Sequence, residues 1–434
     1  MDNLCFKRLI KFYNLNKLKN TSFSKELLAG LTTFISLSYL FFLIPKILKE
    51  VGMPQEAVFT SIILASIFAT LLMSLFAKKP FVLAPSFALT SYFVYSVVIG
   101  KGVYWQTALG ALFIAGIIYL IISTSKLREI LIESIPLILK KAIGAGIGLF
   151  LVLIGLKLSG IIVSNHKFFL LIGNFLTTKA MLTLVGIFLL IIFLSKGIKG
   201  AFLWTTLIVS TLSLLIGNTT LPTRFVTHPQ LITPISLKLD ILGAFNSPEL
   251  VFSFLIILFF TTTTIILSTS KKTGLSKNYN VKGIKETLIS DSLAGILGTL
   301  FGAPFISTRA ENISGLKEGG KTGLTSLVVS ILLILLLFFS PIITLIPTAL
   351  VSAILIVTGL SMISLIGKLK KKDISNNFPA FATMILIPLT FSIPKGIALG
   401  FTIYALFKLF SGKIKEMSTA TKILTIIFLI YLAL

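Results

Sequence analysis

Apolar runs long enough to cross a bilayer recur along this chain from residue 27 to residue 411. A spanning helix needs about 20 mostly apolar residues. Lipid offers the backbone no hydrogen-bond partner, so each such run must satisfy its own polar groups, as a helix does. Barrel strands would instead alternate polar and apolar residues over about 10 positions, and no such alternation is present. Only 12% of the 434 residues are charged, and the mean hydropathy is +1.02. Soluble domains carry about 25% charged residues, so this chain cannot cover itself in water. Its fold class is therefore that of an all-α polytopic membrane protein.

Fourteen segments follow, at 27–48, 57–77, 81–99, 104–124, 136–158, 179–195, 200–217, 249–269, 286–302, 304–316, 322–340, 343–366, 377–392 and 395–411. The third and tenth are short and interrupted by Pro or charge. The tail 420–434 is apolar but one short helix long, which suits an interfacial position better than a span. The longest connection, 218–248, holds Pro222, Pro229, Pro234 and Pro248 and divides the chain near its middle.

Lys and Arg number 39 against 14 Asp and Glu, a net charge of +25. A basic balance also marks nucleic-acid binders, but here the positive residues sit in short loops between apolar runs, which argues against that class. With the N-terminus inside, 28 of the 39 fall on the cytoplasmic side and 9 on the outer side, leaving Arg309 and Lys422 aside. This bias predicts a multi-pass protein of the cell (inner) membrane, with a cytoplasmic N-terminus (1–26) and an even number of crossings before the tail. Residues 1–25 are polar and basic without an apolar core, unlike a signal peptide. Cys5 is the single cysteine, so no internal disulfide is expected.

The two halves carry parallel landmarks. Ala84-Pro85-Ser86-Phe87 matches Ala303-Pro304-Phe305, Ile135-Pro136 matches Ile346-Pro347, and Lys196-Gly197-Ile198 matches Lys395-Gly396-Ile397. Seven spans per half is odd, so the second half enters from the opposite side. An inverted repeat of this kind is a common build for secondary transporters, which place substrate near the midplane between broken helices. The broken pair here is Pro80–Val98 and Gly302–Gly315. Pro85 and Pro304 lack a backbone N–H and disfavour helix just before them, so each segment reads as an extended stretch followed by a half-helix. The half-helix N–H groups can hold an electronegative group; the bland alternative is a kink without a ligand.

Glu311 lies in the second broken segment. A carboxylate at membrane depth usually faces a polar cavity, where it can accept hydrogen bonds from substrate or carry a proton; it can also serve as a structural partner of Arg309. Arg309 in turn reads equally as ion-pair partner or substrate contact. The hydroxyls of Thr261–Thr264 either bond back to their own helix or line a pocket, and Ser86, Thr90 and Ser91, beside Phe87, carry the same ambiguity. Asp291, near a span's start, reads as a cap or inner-mouth contact. Gly144-Ala145-Gly146-Ile147-Gly148 has neither a preceding strand nor a Walker lysine, and reads as a close-packing stripe. His166 and His228 fall in outer loops. No metal cluster, cofactor motif or nucleophile–base pair appears, so no enzyme activity is expected, and without an ATP motif an ion or solute gradient is the expected energy source.

The chain resembles the nucleobase-cation symporter-2 family, specifically its adenine/guanine/hypoxanthine permease branch. The matching stretches are Ala29-Gly30-Leu31-Thr32-Thr33-Phe34, Leu83-Ala84-Pro85, Trp105-Gln106-Thr107-Ala108-Leu109-Gly110-Ala111, Gly144–Leu156, Gly319-Gly320-Lys321-Thr322-Gly323-Leu324-Thr325, and Pro379-Ala380-Phe381 through Pro388-Leu389-Thr390. They are collinear and cover nearly the whole chain. The resemblance implies a seven-plus-seven fold, with a core of spans one to four and eight to eleven (27–124 and 249–340) and a gate of spans five to seven and twelve to fourteen (136–217 and 341–411). It also implies a homodimer and proton-coupled purine uptake by alternating access, with the purine between the third, eighth and tenth spans. Glu311 falls on the family's tenth-span Glu. Thr261 falls on its eighth-span acid, Thr90 on its third-span Asn, and Arg309 on a neutral, usually aromatic position. If Arg309 faces the pocket, these changes make it about two charges more positive by simple charge counting. Two further readings stand beside purine uptake: a transporter of the same fold that holds an anionic or other small solute with Arg309, and a non-transporting membrane paralogue.

Overall fold

The computed structural model describes residues 12–13, 21–125, 135–165, 169–272, 284–364 and 374–433, with no side chains given for 165, 169, 263, 264, 266–272, 284 and 374. Cys5, His166, most of the basic N-terminal segment and the side chains of Thr263 and Thr264 lie outside this set.

Each of the fourteen segments contains a helix. The first half holds α1 (Phe23–Lys49), α2 (Gln55–Leu72, continued by a π-type turn to Ala77), α3 (Phe87–Ser91, continued in π-type turns to Ile99), α4 (Trp105–Thr124), α5 (Leu137–Ser159), α6 (Thr178–Ser195) and α7 (Ala201–Leu215). The second holds α8 (Pro248–Lys272), α9 (Ile284–Leu300), α10 (a 3-10 turn Ala310–Asn312 running into Ile313–Lys317), α11 (Gly323–Leu336), α12 (Thr348–Ile363), α13 (Ile374–Leu389) and α14 (Ile393–Phe410). Among the described residues, seven helices are long and apolar enough to cross a membrane, and five more are apolar but shorter. Two short strands, β1 (Leu83–Pro85) and β4 (Ile306–Thr308), lead into α3 and α10; β2 (Ile162–Asn165) and β3 (Phe169–Ile172) form a hairpin after α5.

Several prolines stand at helix starts, whereas Pro45, Pro379 and Pro388 lie inside helices. Pro54, Pro136 and Pro347 stand at the N-caps of α2, α5 and α12, and Pro394 sits in the first turn of α14, where the lost donor has no intrahelical partner anyway. Pro136 and Pro347 thus mark the same place in the two halves. The other landmark pairs are displaced. Pro85 closes β1 whereas Pro304 stands ahead of β4, and Lys196-Gly197-Ile198 precedes α7 whereas Lys395-Gly396-Ile397 lies inside α14. The repeat is kept by element order more faithfully than by these short matches.

The helices pack in two groups, each mixing the halves. In one, α5 runs along α12 and α13, α12 against α6, and α13 against α14; in the other, α11 lies on α1 and α2, α9 on α2 and α4, and α8 on α4. Backbones come close where α5 meets α12. A Cβ on Gly148 would strike the Gly359 carbonyl, and a Cβ on Gly359 the Gly148 carbonyl. The glycine stripe is therefore a packing surface, which matters in lipid because association rests on close van der Waals contact. The tail forms α15 (Thr419–Ala433), which lies against α14 and bonds α8 through Tyr431 and Ser253, whose oxygens are 2.9 Å apart.

Among the described residues, the ion pairs between separate loops join residues that the loop count assigns to one side. Lys199 pairs with Glu318 at 2.7 Å, and at the opposite end Glu249 receives Lys101 at 2.7 Å and Lys395 at 3.7 Å. In the long connection, Asp240 accepts the Gly243 N–H and the Thr107 hydroxyl, which together hold its carboxyl below the usual carboxylate range.

Candidate functional site

Non-helical backbone at membrane depth survives only where its polar groups are satisfied, and here the two broken segments satisfy each other. β1 and β4 pair antiparallel, with Leu83 opposite Thr308, Ala84 opposite Ser307 and Pro85 opposite Ile306. Gly302 begins the second break with φ +82°, a left-handed conformation suited to glycine. Side chains supply the remaining bonds. Buried Asn312 accepts the Val82 N–H at 2.9 Å and donates to the Val82 carbonyl at 2.9 Å and to the Arg309 carbonyl at 2.8 Å. Thr70 accepts the Leu83 N–H at 3.2 Å, and Ser326 donates to the Lys79 and Phe81 carbonyls.

Asp291 reaches the same crossing. It lies two turns into α9 and is fully buried, and its Oδ1 accepts the Thr308 N–H. The expected inner-mouth contact is thereby corrected: the carboxylate holds the second broken segment from behind, with Arg309 close enough to act on it electrostatically. Asp291 and Asn312 were both visible as polar residues within apolar segments, but their partners are set by the fold.

Beyond the crossing lies a cavity of about 650 Å³, within the ~300–1,000 Å³ range of small-molecule sites. Helices α1, α3, α8 and α10 form one wall, and α5, α12 and the α6–α7 connection the other; Lys140, Lys199 and Lys317 border one end. Of the six predicted site residues, Glu311, Arg309, Thr261, Ser86 and Phe87 line this cavity. Thr90 does not. It is fully buried one turn behind Ser86, whose carbonyl accepts its N–H.

The roles separate on inspection. Ser86 caps α3 through the Leu89 N–H at 3.4 Å. Thr261 donates to the Ile257 carbonyl at 2.6 Å while still bordering the cavity, so it does both things a hydroxyl there was expected to do. Arg309 is extended and buried, and its terminal nitrogen stands 3.6 Å from Glu311 Oε1. That same oxygen accepts the Tyr39 hydroxyl at 2.9 Å. Tyr39, which sequence reasoning passed over, is clamped in turn by a stacked contact with Phe202 at 4.8 Å. Neither Arg309 Nε nor Glu311 Oε2 makes a hydrogen bond to a described residue. Arg309 thus stands beside Glu311 with Asp291 behind, while Lys140, Lys199 and Lys317 add positive charge at one end of the cavity.

The family model Xan_ur_permease, a permease family, matches residues 24–399. The chain belongs to this family. It is a multi-pass membrane transporter, not an enzyme. Among this permease's relatives, a guanine/hypoxanthine permease of Bacillus subtilis is 34% identical over 96% of this chain and 98% of its own, and an adenine permease of Escherichia coli is 32% identical over 94% and 93%. The transmembrane domain of a cyanobacterium bicarbonate transporter shares the fold with a TM-score of 0.64 at 17% identity, covering 85% of this chain and 95% of that one. The murine Solute Carrier 26 family member A9 does so with 0.65 at 13%, covering 95% and 72%. The fold is the seven-plus-seven inverted repeat these transporters share.

One of the stretches that carry the family resemblance, Gly319–Thr325, has a physical reason. Buried Glu26 at the start of α1 accepts the Lys321 and Thr322 N–H groups at 2.9 and 3.1 Å and the hydroxyls of Thr21 and Thr325. This clasp ties the connection after α10 to α1, and so fixes where the Glu311 segment ends.

Proposed function

We propose that this permease imports purine nucleobases across the cell membrane by alternating access, with Glu311 as the acceptor for the base's N–H groups. The observation that carries this is the donor and acceptor side by side, Arg309 and Glu311, with Asp291 behind them. A guanidinium beside a carboxylate suits a neutral solute with both donors and acceptors, as a purine is. Phe87 and Phe260 line the cavity and offer apolar faces to a flat ring. Relatives named as adenine and guanine/hypoxanthine permeases, aligned over nearly the full chain, support the same reading.

Glu311 is also the residue we assign to the coupling proton. It is the carboxylate that both lines the cavity and leaves an oxygen without a described partner, and intramembrane acids of this kind serve proton relays. The moving parts are a core of α1–α4 and α8–α11 and a gate of α5–α7 and α12–α14, a division supported by the two packing groups and by the cavity between them. Tyr39 stacked on Phe202 joins Glu311 to the gate across that boundary. The charge bias supports a cytoplasmic N-terminus, and the family resemblance supports a homodimer.

The test is uptake of radiolabelled hypoxanthine, guanine and adenine into proteoliposomes, with and without an inward proton gradient. Wild-type protein should accumulate purine, faster with the gradient, and sulfate should not compete. Glu311→Gln should insert normally and lose uptake. Wild-type rates in that variant would remove Glu311 from the site.

A further inference from the structure

Arg309 and Glu311 together present an ordered hydrogen-bonding edge. A guanidinium carries five N–H donors and no acceptor, and a carboxylate only acceptors. Held side by side at 3.6 Å on the cavity lining, they set donors next to acceptors. Both are underused by the protein. Arg309 is more than nine-tenths buried with Nε unbonded, and Glu311 Oε2 is likewise unbonded among the described residues. A buried donor without an acceptor is costly, so a ligand that supplies the acceptor gains what the protein leaves unmade.

Free purines differ along the edge that meets such a pair. Guanine offers N7 and O6 as acceptors, followed by N1–H and the N2 amino group as donors: the complement of Arg309 then Glu311, in order. Hypoxanthine keeps the first three and lacks the amino group. Adenine offers N7 as acceptor, N6 amino as donor and N1 as acceptor, so at most two positions match and its N1 lone pair faces a carboxylate. Xanthine places a second carbonyl against Glu311. We infer that Arg309 is the specificity-determining residue of this site, selecting 6-oxopurines, guanine foremost, over adenine. This rests on the purine reading above and sharpens it.

The pair is fixed well enough to discriminate. Glu311 is anchored by Tyr39, and the Arg309 backbone by the Asn312 amide on its carbonyl. A good bidentate Arg contact to the O6/N7 edge discriminates between bases by about 5- to 150-fold in affinity.

The experiment is binding of radiolabelled guanine to the purified full-length protein, with unlabelled hypoxanthine, adenine and xanthine as competitors. Wild-type protein should rank guanine, then hypoxanthine, with adenine and xanthine at least about tenfold weaker than guanine. In Arg309→Gln, checked for folding by size exclusion and thermal unfolding, the guanine-to-adenine ratio should fall to within about threefold. Arg309→Lys keeps the charge but not the planar fork, and should lose most of the preference too. Adenine bound as tightly as guanine by wild type, or an unchanged ratio in a folded Arg309 variant, overturns the assignment of Arg309 while leaving purine transport in place. A folded wild-type protein that binds none of the four bases overturns both.

Discussion

Replacing Asn312 by Ala would test whether the site is held by its crossing strands. The side chain makes three hydrogen bonds, to the Val82 N–H, the Val82 carbonyl and the Arg309 carbonyl, all between 2.8 and 2.9 Å and all buried. Alanine removes every one; the Arg309 carbonyl keeps the backbone N–H of position 312 at 3.4 Å, while the Val82 N–H and carbonyl lose the bonds described here. Hydrogen bonds between helices in membranes are worth only about 0.6 kcal/mol on average, because a displaced helix finds other partners. The Val82 groups lie in non-helical backbone with no helical bond to fall back on, so the applicable figure for them is the ~1–3 kcal/mol of an unsatisfied buried group. Two such groups, partly relaxed, place the loss at about 2–5 kcal/mol. The assay is thermal unfolding of purified protein together with purine binding, since losing the amide bond to the Arg309 carbonyl also loosens Arg309 and Glu311. Asn312→Ala should unfold at markedly lower temperature and bind weakly even below that temperature. A variant that melts with wild type and binds normally would refute the claim that this amide holds the crossing.

Two further outcomes follow from described contacts. Asp291→Asn keeps an acceptor for the Thr308 N–H and should fold close to wild type, whereas Asp291→Ala orphans that N–H and should lose about 1–3 kcal/mol; equal melting of the two would show that Oδ1 carries no such bond. Asp240, held below the usual carboxylate range by the Gly243 N–H and the Thr107 hydroxyl, contributes stability that is present above its unfolded pKa of about 3.9 and lost as pH falls through the lower folded value. The melting difference between wild type and Asp240→Ala should therefore narrow as pH drops from about 5 to about 2, and a difference that is flat with pH would remove the charge from the account.

What could be read in the sequence was what is written locally. Apolar runs of bilayer length give the spans, and Pro85, Pro304 and the charged Arg309–Glu311 pair mark the two breaks. Glu311, Arg309, Thr261, Ser86 and Phe87 all reach the cavity. What could not be read depends on partners far along the chain. Asn312 binds a residue 230 positions away and Tyr39 one 272 positions away, and no periodicity announces either. Asp291 was misjudged because nearness to a helix start says nothing about which strand lies behind it. Thr90 lies one turn along α3, fully buried and away from the cavity lining, a placement that its spacing in the sequence does not announce. The displaced Ala-Pro and Lys-Gly-Ile landmarks show that two halves can keep a common element order while their short motifs drift.

The ladder between β1 and β4 gives the two repeats a shared inheritance. Its rungs come from both halves of the chain, and Asn312 of the second closes on Val82 of the first. A hybrid joining the first half of this permease to the second half of a relative would need matching rungs and a matching clasp before any pocket residue counted. Solute preference in such a chain is then a trait of the pair, and a change fixed in one repeat sets which changes the other can accept.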